Sequence, residues 1–181
     1  TLDSFTLELD GFVLYDKDGD HSTADDQITA TGTIEIQPGF DFSAVVEKGK
    51  VINLTFLHHA VITNDLQVTS LIDAQDISSN AEVTEFVFET ITTKTGDIPI
   101  PFRPTCSVII NTEGKSLKGS SININQQTDY VSGLTYSHGV WDTISDYTKQ
   151  LNSTADGVAE KADIKVTTSQ VLGLSLPGDD K

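Results

Sequence analysis

Strict alternation of apolar and polar residues constrains this chain more than any other feature. Over residues 28–36, Ile28, Ala30, Gly32, Ile34 and Ile36 fall on one side, and Thr29, Thr31, Thr33 and Glu35 on the other. A β-strand points successive side chains to opposite faces, so this period describes a sheet with one face on a core and one in water. Phe5, Leu7 and Leu9 alternate with Thr6, Glu8 and Asp10 in the same way. Gly11 then interrupts before Phe12, Val13, Leu14 and Tyr15 resume, which is the mark of a bulge.

Further strands follow at short intervals. Val45–Val46 and Val51–Ile62 are joined by Glu47-Lys-Gly-Lys, a polar connection of hairpin length. Leu66–Ile72, Val83–Ile91, Ser107–Asn111, Ser121–Asn125, Ile164–Thr168 and Val171–Leu176 read as strands between polar or glycine-containing segments. Thr112 to Gly119 reads as a turn. Residues 97–104 hold Pro99, Pro101 and Pro104, which lack ladder donors, so an extended connection is expected there rather than a central strand. In one stretch the period changes. Val140, Trp141, Ile144, Tyr147, Thr148 and Leu151 recur at helical spacing, with Asp142 and Asp146 early and Lys149 late, and the pattern predicts a short helix over 141–151. The expected architecture is all-β: an antiparallel two-sheet β-sandwich of jelly-roll or Greek-key type, built from nine or ten short strands. A closed β-barrel is the alternative. A length of 181 residues fits a single domain, 1–181, large enough to bury a core without staples.

Charge narrows the partners. Eleven Lys and Arg stand against 27 Asp and Glu, a formal net charge of −16. Binding to nucleic acid draws its affinity from cationic side chains displacing counterions, so nucleic acid is excluded as a partner. Anionic lipid surfaces are disfavoured and cations are attracted. No apolar run is long enough for a membrane span. The single cysteine, Cys106, allows no internal disulfide and sits at a strand start, where an inert half-buried thiol is expected, with an intermolecular disulfide as the lesser possibility. A chain that begins at Thr1, contains no Met and carries the sequons Asn53-Leu-Thr and Asn152-Ser-Thr fits a secreted or extracellular protein, with the cytoplasm as the alternative.

The densest chemical signal is Asp16-Lys-Asp-Gly-Asp-His-Ser-Thr-Ala-Asp-Asp, directly after a strand. Asp16, Asp18, Asp20, Asp25 and Asp26 repel one another unless a cation or water separates them, and Ca²⁺ takes six to eight oxygens. Mg²⁺ held through waters would use the same residues. The stretch resembles the Asp-x-Asp-Gly-Asp calcium loops of thrombospondin-type and related acidic repeats over about ten residues, a resemblance that implies a Ca²⁺ site. It departs from the EF-hand spacing: Gly19 is fourth from Asp16, Gln27 stands at the twelfth position, and the motif does not repeat. A solvated acidic hairpin loop explains the same residues.

Aromatics and histidines supply the second signal. Tyr130, Tyr136, His138 and Trp141 fall close together and could stack on a sugar ring or a flat organic ligand, or plug the core. His58 and His59 are adjacent in a strand, so their rings point to opposite faces and cannot readily share a metal. His58 shares its face with Leu54, Phe56 and Ile62, as a core histidine or a polar contact inside a pocket between sheets. Glu85 and Glu89 share a strand face, which fits a wet surface better than a catalytic pair. Gly-x-Ser-x-Gly, Walker A, His-Glu-x-x-His, Cys-x-x-Cys and dinucleotide fingerprints are absent. The expected function is therefore a non-enzymatic, exported, lectin-like binding module that holds a divalent cation in the Asp loop and a carbohydrate or small organic molecule near Tyr130–Trp141. The rivals are a small-molecule or pigment carrier with an interior pocket, and a structural or adhesive surface protein. A homodimer through exposed strand edges is compatible with all three.

Overall fold

The computed structural model describes residues 3–20, 22–95, 98–116, 118–156 and 163–175. Among these residues nine strands follow one another: β1 (Phe5–Asp16), β2 (Gln27–Glu47), β3 (Lys50–Ser70), β4 (Gln75–Val87), β5 (Ile91–Thr95), β6 (Ile98–Ser116), β7 (Ser120–Ser137), β8 (Val140–Asp156) and β9 (Asp163–Ser175). They form two antiparallel sheets. One has the order β1-β2-β3-β7-β8; the other has β4-β6-β5, with β9 paired to β6. Neither closes into a barrel, so the barrel alternative is corrected. The arrangement is consistent with a sandwich, because one core draws on both sheets: Leu9, Leu14, Ile28, Ala30, Ile34, Ile36, Ile62, Leu66 and Val68 from the first, and Ile77, Val108, Ile110 and Val166 from the second.

The alternation over 28–36 builds this core as the period requires. Ile28, Ala30, Ile34 and Ile36 are fully buried, while Thr31 and Thr33 are exposed. The bulge expected at Gly11 is present, as a register shift between Leu9 and Phe12 in the β1–β2 ladder. Glu47 and Lys50 face each other across the two-residue turn Lys48-Gly49, both with positive φ (49° and 76°), a backbone that matches strand twist in tight hairpins.

The strands are longer than local breaks suggest. β2 and β3 each run for 21 residues, about 70 Å at strand rise. Residues 28–36 and 45–46 join through Pro38 and Gly39, and 51–62 joins 66–70, with Leu71 and Ile72 beyond the strand end. The cause is not local. β1 begins at Phe5, opposite Ile36, so Pro38 has a strand partner only on the β3 side, at Ala60, among the described residues. A proline whose missing N–H faces an unpaired edge removes no ladder bond. Gly39 serves a contact: a Cβ there would collide with the ring of His59 on the neighbouring strand.

Three expectations are overturned, the first being the turn expected over Thr112 to Gly119, of which residues 112–116 lie within β6. Residues 141–151 are not a helix but part of β8, paired with β7 from Val140 opposite Ser137 to Asp156 opposite Ser121. Thr143, Ile144 and Thr148 are β-branched, and a ready-made partner edge on β7 outweighs a spacing that helix and strand share. The proline-rich stretch 97–104 also departs from expectation, since residues 98–104 lie within β6, with Pro99 opposite Lys94 and Pro101 opposite Thr92 of β5. Prolines two apart turn their nitrogens to the same side, so one partner strand can pair with the other side. Asp97 lies outside the described residues.

Candidate functional site

The Asp-rich segment connects β1 to β2. Asp16 closes β1, and Asp26 immediately precedes β2, so the ladder brings together carboxylates ten residues apart; Asp16 itself is the strand partner of Gln27. One carboxylate oxygen each from Asp16, Asp18 and Asp26 lie within 4.8 Å of one another. Asp20 and Asp25 stand outside this triangle. His21 lies outside the described residues.

Hydrogen bonds within the loop set its shape. The Gly19 amide donates to Asp16 Oδ1 at 2.9 Å and the Asp20 amide to Asp18 Oδ1 at 2.8 Å, so each carboxylate closes a short turn over its own backbone. Asp20 Oδ1 accepts from the Ser22 amide and hydroxyl at 3.0 and 2.6 Å, which commits it to the loop's outer bend. Gln27 Nε2 donates to Asp16 Oδ2 at 2.8 Å, leaving the Asp16 carboxylate held from both sides. Asp26 differs. Its Oδ1 is buried without a hydrogen-bond partner among the described residues, and its carboxyl is pushed above the usual range by burial, then by the charges of Asp18, Asp16 and Asp25, with Lys17 opposing. A cation bound between the three would offset the carboxylate charges, acting in the same direction as Lys17. Clustered anionic oxygens suit a hard ion such as Ca²⁺, which binds oxygens at about 2.3–2.6 Å, and waters would supply the remaining positions.

The five residues expected at a ligand site fall into two places. Tyr136, His138 and Trp141 gather at the β7–β8 hairpin tip. His138 and Gly139 form its two-residue turn, with φ of 50° and 95°, and Ser137 Oγ lies 3.1 Å from His138 Nδ1. Tyr136 is the strand partner of Trp141, their ring centroids are 5.0 Å apart, and Trp141 is 61% exposed. Tyr130 and His58 lie further down the sheet, on its inner face, with ring centroids 6.3 Å apart. His58 is fully buried, and His59, on the outer face, has Nδ1 3.5 Å from Asp41 Oδ2. The opposite-face expectation for the two histidines holds.

Position along β3 separates the Asp loop from the aromatic tip. Ile28, which follows the loop, pairs with Ser70, whereas the tip residue Ser137 pairs with Asn53. The two therefore sit at opposite ends of the sheet, about 55 Å apart at strand rise. A cation in the loop cannot touch a ligand at the tip. Of the remaining residues singled out, Cys106 is buried on β6, and burial raises its thiol to about 11, which leaves it protonated and unreactive at neutral pH. Asn53 lies half-buried within β3, between Val45 and Ser137, rather than in a loop.

No protein-family model matches the chain, and no curated protein or solved structure matches it significantly. Among the described residues no helix is long and apolar enough to cross a membrane.

Proposed function

We propose that the protein is a non-enzymatic, exported binding module that takes a divalent cation, Ca²⁺ before Mg²⁺, between Asp16, Asp18 and Asp26. The observation that carries this reading is the convergence of three carboxylates, one of them with a buried oxygen that no donor among the described residues reaches. The cation would fasten the two ends of the β1–β2 connection and so stabilise the edge hairpin. Thermal unfolding after dialysis against chelator, with Ca²⁺ or Mg²⁺ added back, tests it. A rise in Tm that Asp18→Ala or Asp26→Asn abolishes supports the site; an unchanged Tm makes the loop a solvated turn.

The ligand part of the proposal rests on the hairpin tip. The exposed Trp141 beside Tyr136 offers a flat apolar surface of the kind that stacks on a sugar ring, with His138 as a hydrogen-bonding group at the turn. Trp141 is the only tryptophan, so fluorescence excited selectively at tryptophan, beyond tyrosine absorption, reports on this surface alone. Saturable quenching by a mono- or oligosaccharide, lost in Trp141→Ala, is the expected result. Because the two ends are far apart, the sugar response should be the same in Ca²⁺ and in chelator.

A further inference from the structure

His58 is 0% exposed, and neither Nδ1 nor Nε2 has a hydrogen-bond partner among the described residues. A neutral imidazole has one donor and one acceptor, and leaving either unmet in a dry interior is costly. Buried polar side chains are overwhelmingly satisfied, so an imidazole bare at both nitrogens marks a place where another molecule belongs.

The surroundings define what could fit. Phe40, its partner on β2, has its ring centroid 5.0 Å away, and Phe40 in turn meets Phe56 at 5.9 Å and Phe88 at 5.8 Å. Tyr130 stands on the other side. The same-face neighbour of His58 along β3 is Ala60, and its partner on β7 is Ser132, so two positions beside the imidazole carry very small side chains. Along β7 the inward positions change from Ile122 and Ile124 to Gln126, Thr128, Tyr130 and Ser132. Gln126 is buried, donates to Thr128 Oγ1 at 2.7 Å, and leaves Oε1 without a partner. No Asp, Glu, Lys or Arg is buried among the described residues. A charged guest would thus lie unpaired in the interior, and charge is excluded. Phe40, Phe88 and Tyr130 are only half-buried, which puts His58 one side chain deep from water.

We propose that the aromatic enclosure around His58 is an internal binding site for a small uncharged aromatic molecule bearing one hydroxyl, a phenol-like ligand. Its ring would pack against Phe40, Phe56 and Tyr130, beside the small side chains of Ala60 and Ser132. Its hydroxyl would donate to one imidazole nitrogen or accept from the other. Burial holds that imidazole neutral at pH 7, with its pKa lowered to about 4, so it keeps one donor and one acceptor for the guest. The site is independent of the Asp loop and requires no metal.

The test uses phenol as the probe and toluene as its shape control, on the full chain in chelator. Binding is followed by thermal unfolding and by the ¹⁵N resonances of the histidine rings. The expected result is saturable phenol binding that shifts the His58 nitrogens, at least tenfold tighter than toluene, with the preference lost in His58→Phe. Equal affinity for phenol and toluene would overturn the proposal, leaving only an apolar void. So would phenol binding that persists unchanged in His58→Phe, or no binding of either probe. The phenol-to-toluene ratio in the unmodified protein decides the matter even if the variant does not fold. Because chelator is present throughout, failure here leaves the cation reading untouched, and failure of the cation reading leaves this one standing.

Discussion

The Asp loop and the His58 enclosure each hold a titratable group perturbed by burial, and they respond to pH with opposite signs. In the loop, Asp26 has its pKa raised in the folded state, by burial and then by neighbouring carboxylates. Folding is opposed there while the carboxyl is ionised, and acid relieves it. At His58 the folded-state pKa is lowered, to about 4 from 6.5, by burial and then by His59. The unfolded chain takes up the proton first, so stability present above pH 6.5 is lost as pH falls toward 4. The contrast comes from charge type. Burial penalises the ionised form of both groups, which for a carboxyl is the deprotonated state and for an imidazole the protonated one.

Acid gives the largest expected effect. Between pH 6.5 and 4, the native protein should lose about 3 kcal/mol more stability than His58→Phe, from a shift of this size. Urea titrations of both proteins across that range measure it; parallel pH profiles would mean that His58 is solvated in the native state, and the contrast would collapse. Calcium comes next. At about 100 times its dissociation constant the ion should stabilise by about 2.7 kcal/mol, with no response in Asp26→Asn. Calorimetry at fixed pH checks both.

The third effect is smaller and has the opposite sign to most core substitutions. At pH 7 and without ligand, His58→Phe should raise stability by about 1–2 kcal/mol, because it removes two desolvated nitrogens from an apolar site. Chemical denaturation reads it directly, and a loss of stability would show that the nitrogens are satisfied. Smallest of all, Ser22→Ala should change stability by no more than about 0.5 kcal/mol, since the one bond it removes, from the hydroxyl to Asp20, is solvent-exposed. A larger loss would give the outer bend of the loop a structural role that its exposure does not predict.

These contrasts also mark how far the sequence could be read. Faces were legible: the period of two puts Ile28, Ile34, Ile36 and His58 inward and His59 outward, and each lies there. The Gly11 bulge and the Lys48-Gly49 turn were equally local and equally readable. Strand ends were not. Whether Pro38 ends β2 depends on where β1 begins, more than thirty residues earlier, and the spacing in 140–151 suits a helix until β7 is available to pair with it. The Asp run shows five carboxylates in sequence, but only the hairpin closure selects Asp16, Asp18 and Asp26. That His58 lacks hydrogen-bond partners among the described residues is a property of what surrounds it, and no string of neighbours along the chain contains it.

The length of β2 and β3 carries a mechanical consequence. Their ladder runs from Ile28 opposite Ser70 to Glu47 opposite Lys50, with one irregularity at Val45–Val46, and β3 is bonded along its other edge to β7 from Asn53 to Ser70. Antiparallel hydrogen bonds lie perpendicular to the strands. Tension drawn lengthwise along β3 therefore loads both rows in shear, sharing the force among many bonds at once, whereas tension that peels the hairpin from its Lys48-Gly49 end meets them one pair at a time. The sheet is stiff along its strands and weak across them, a plank with a grain.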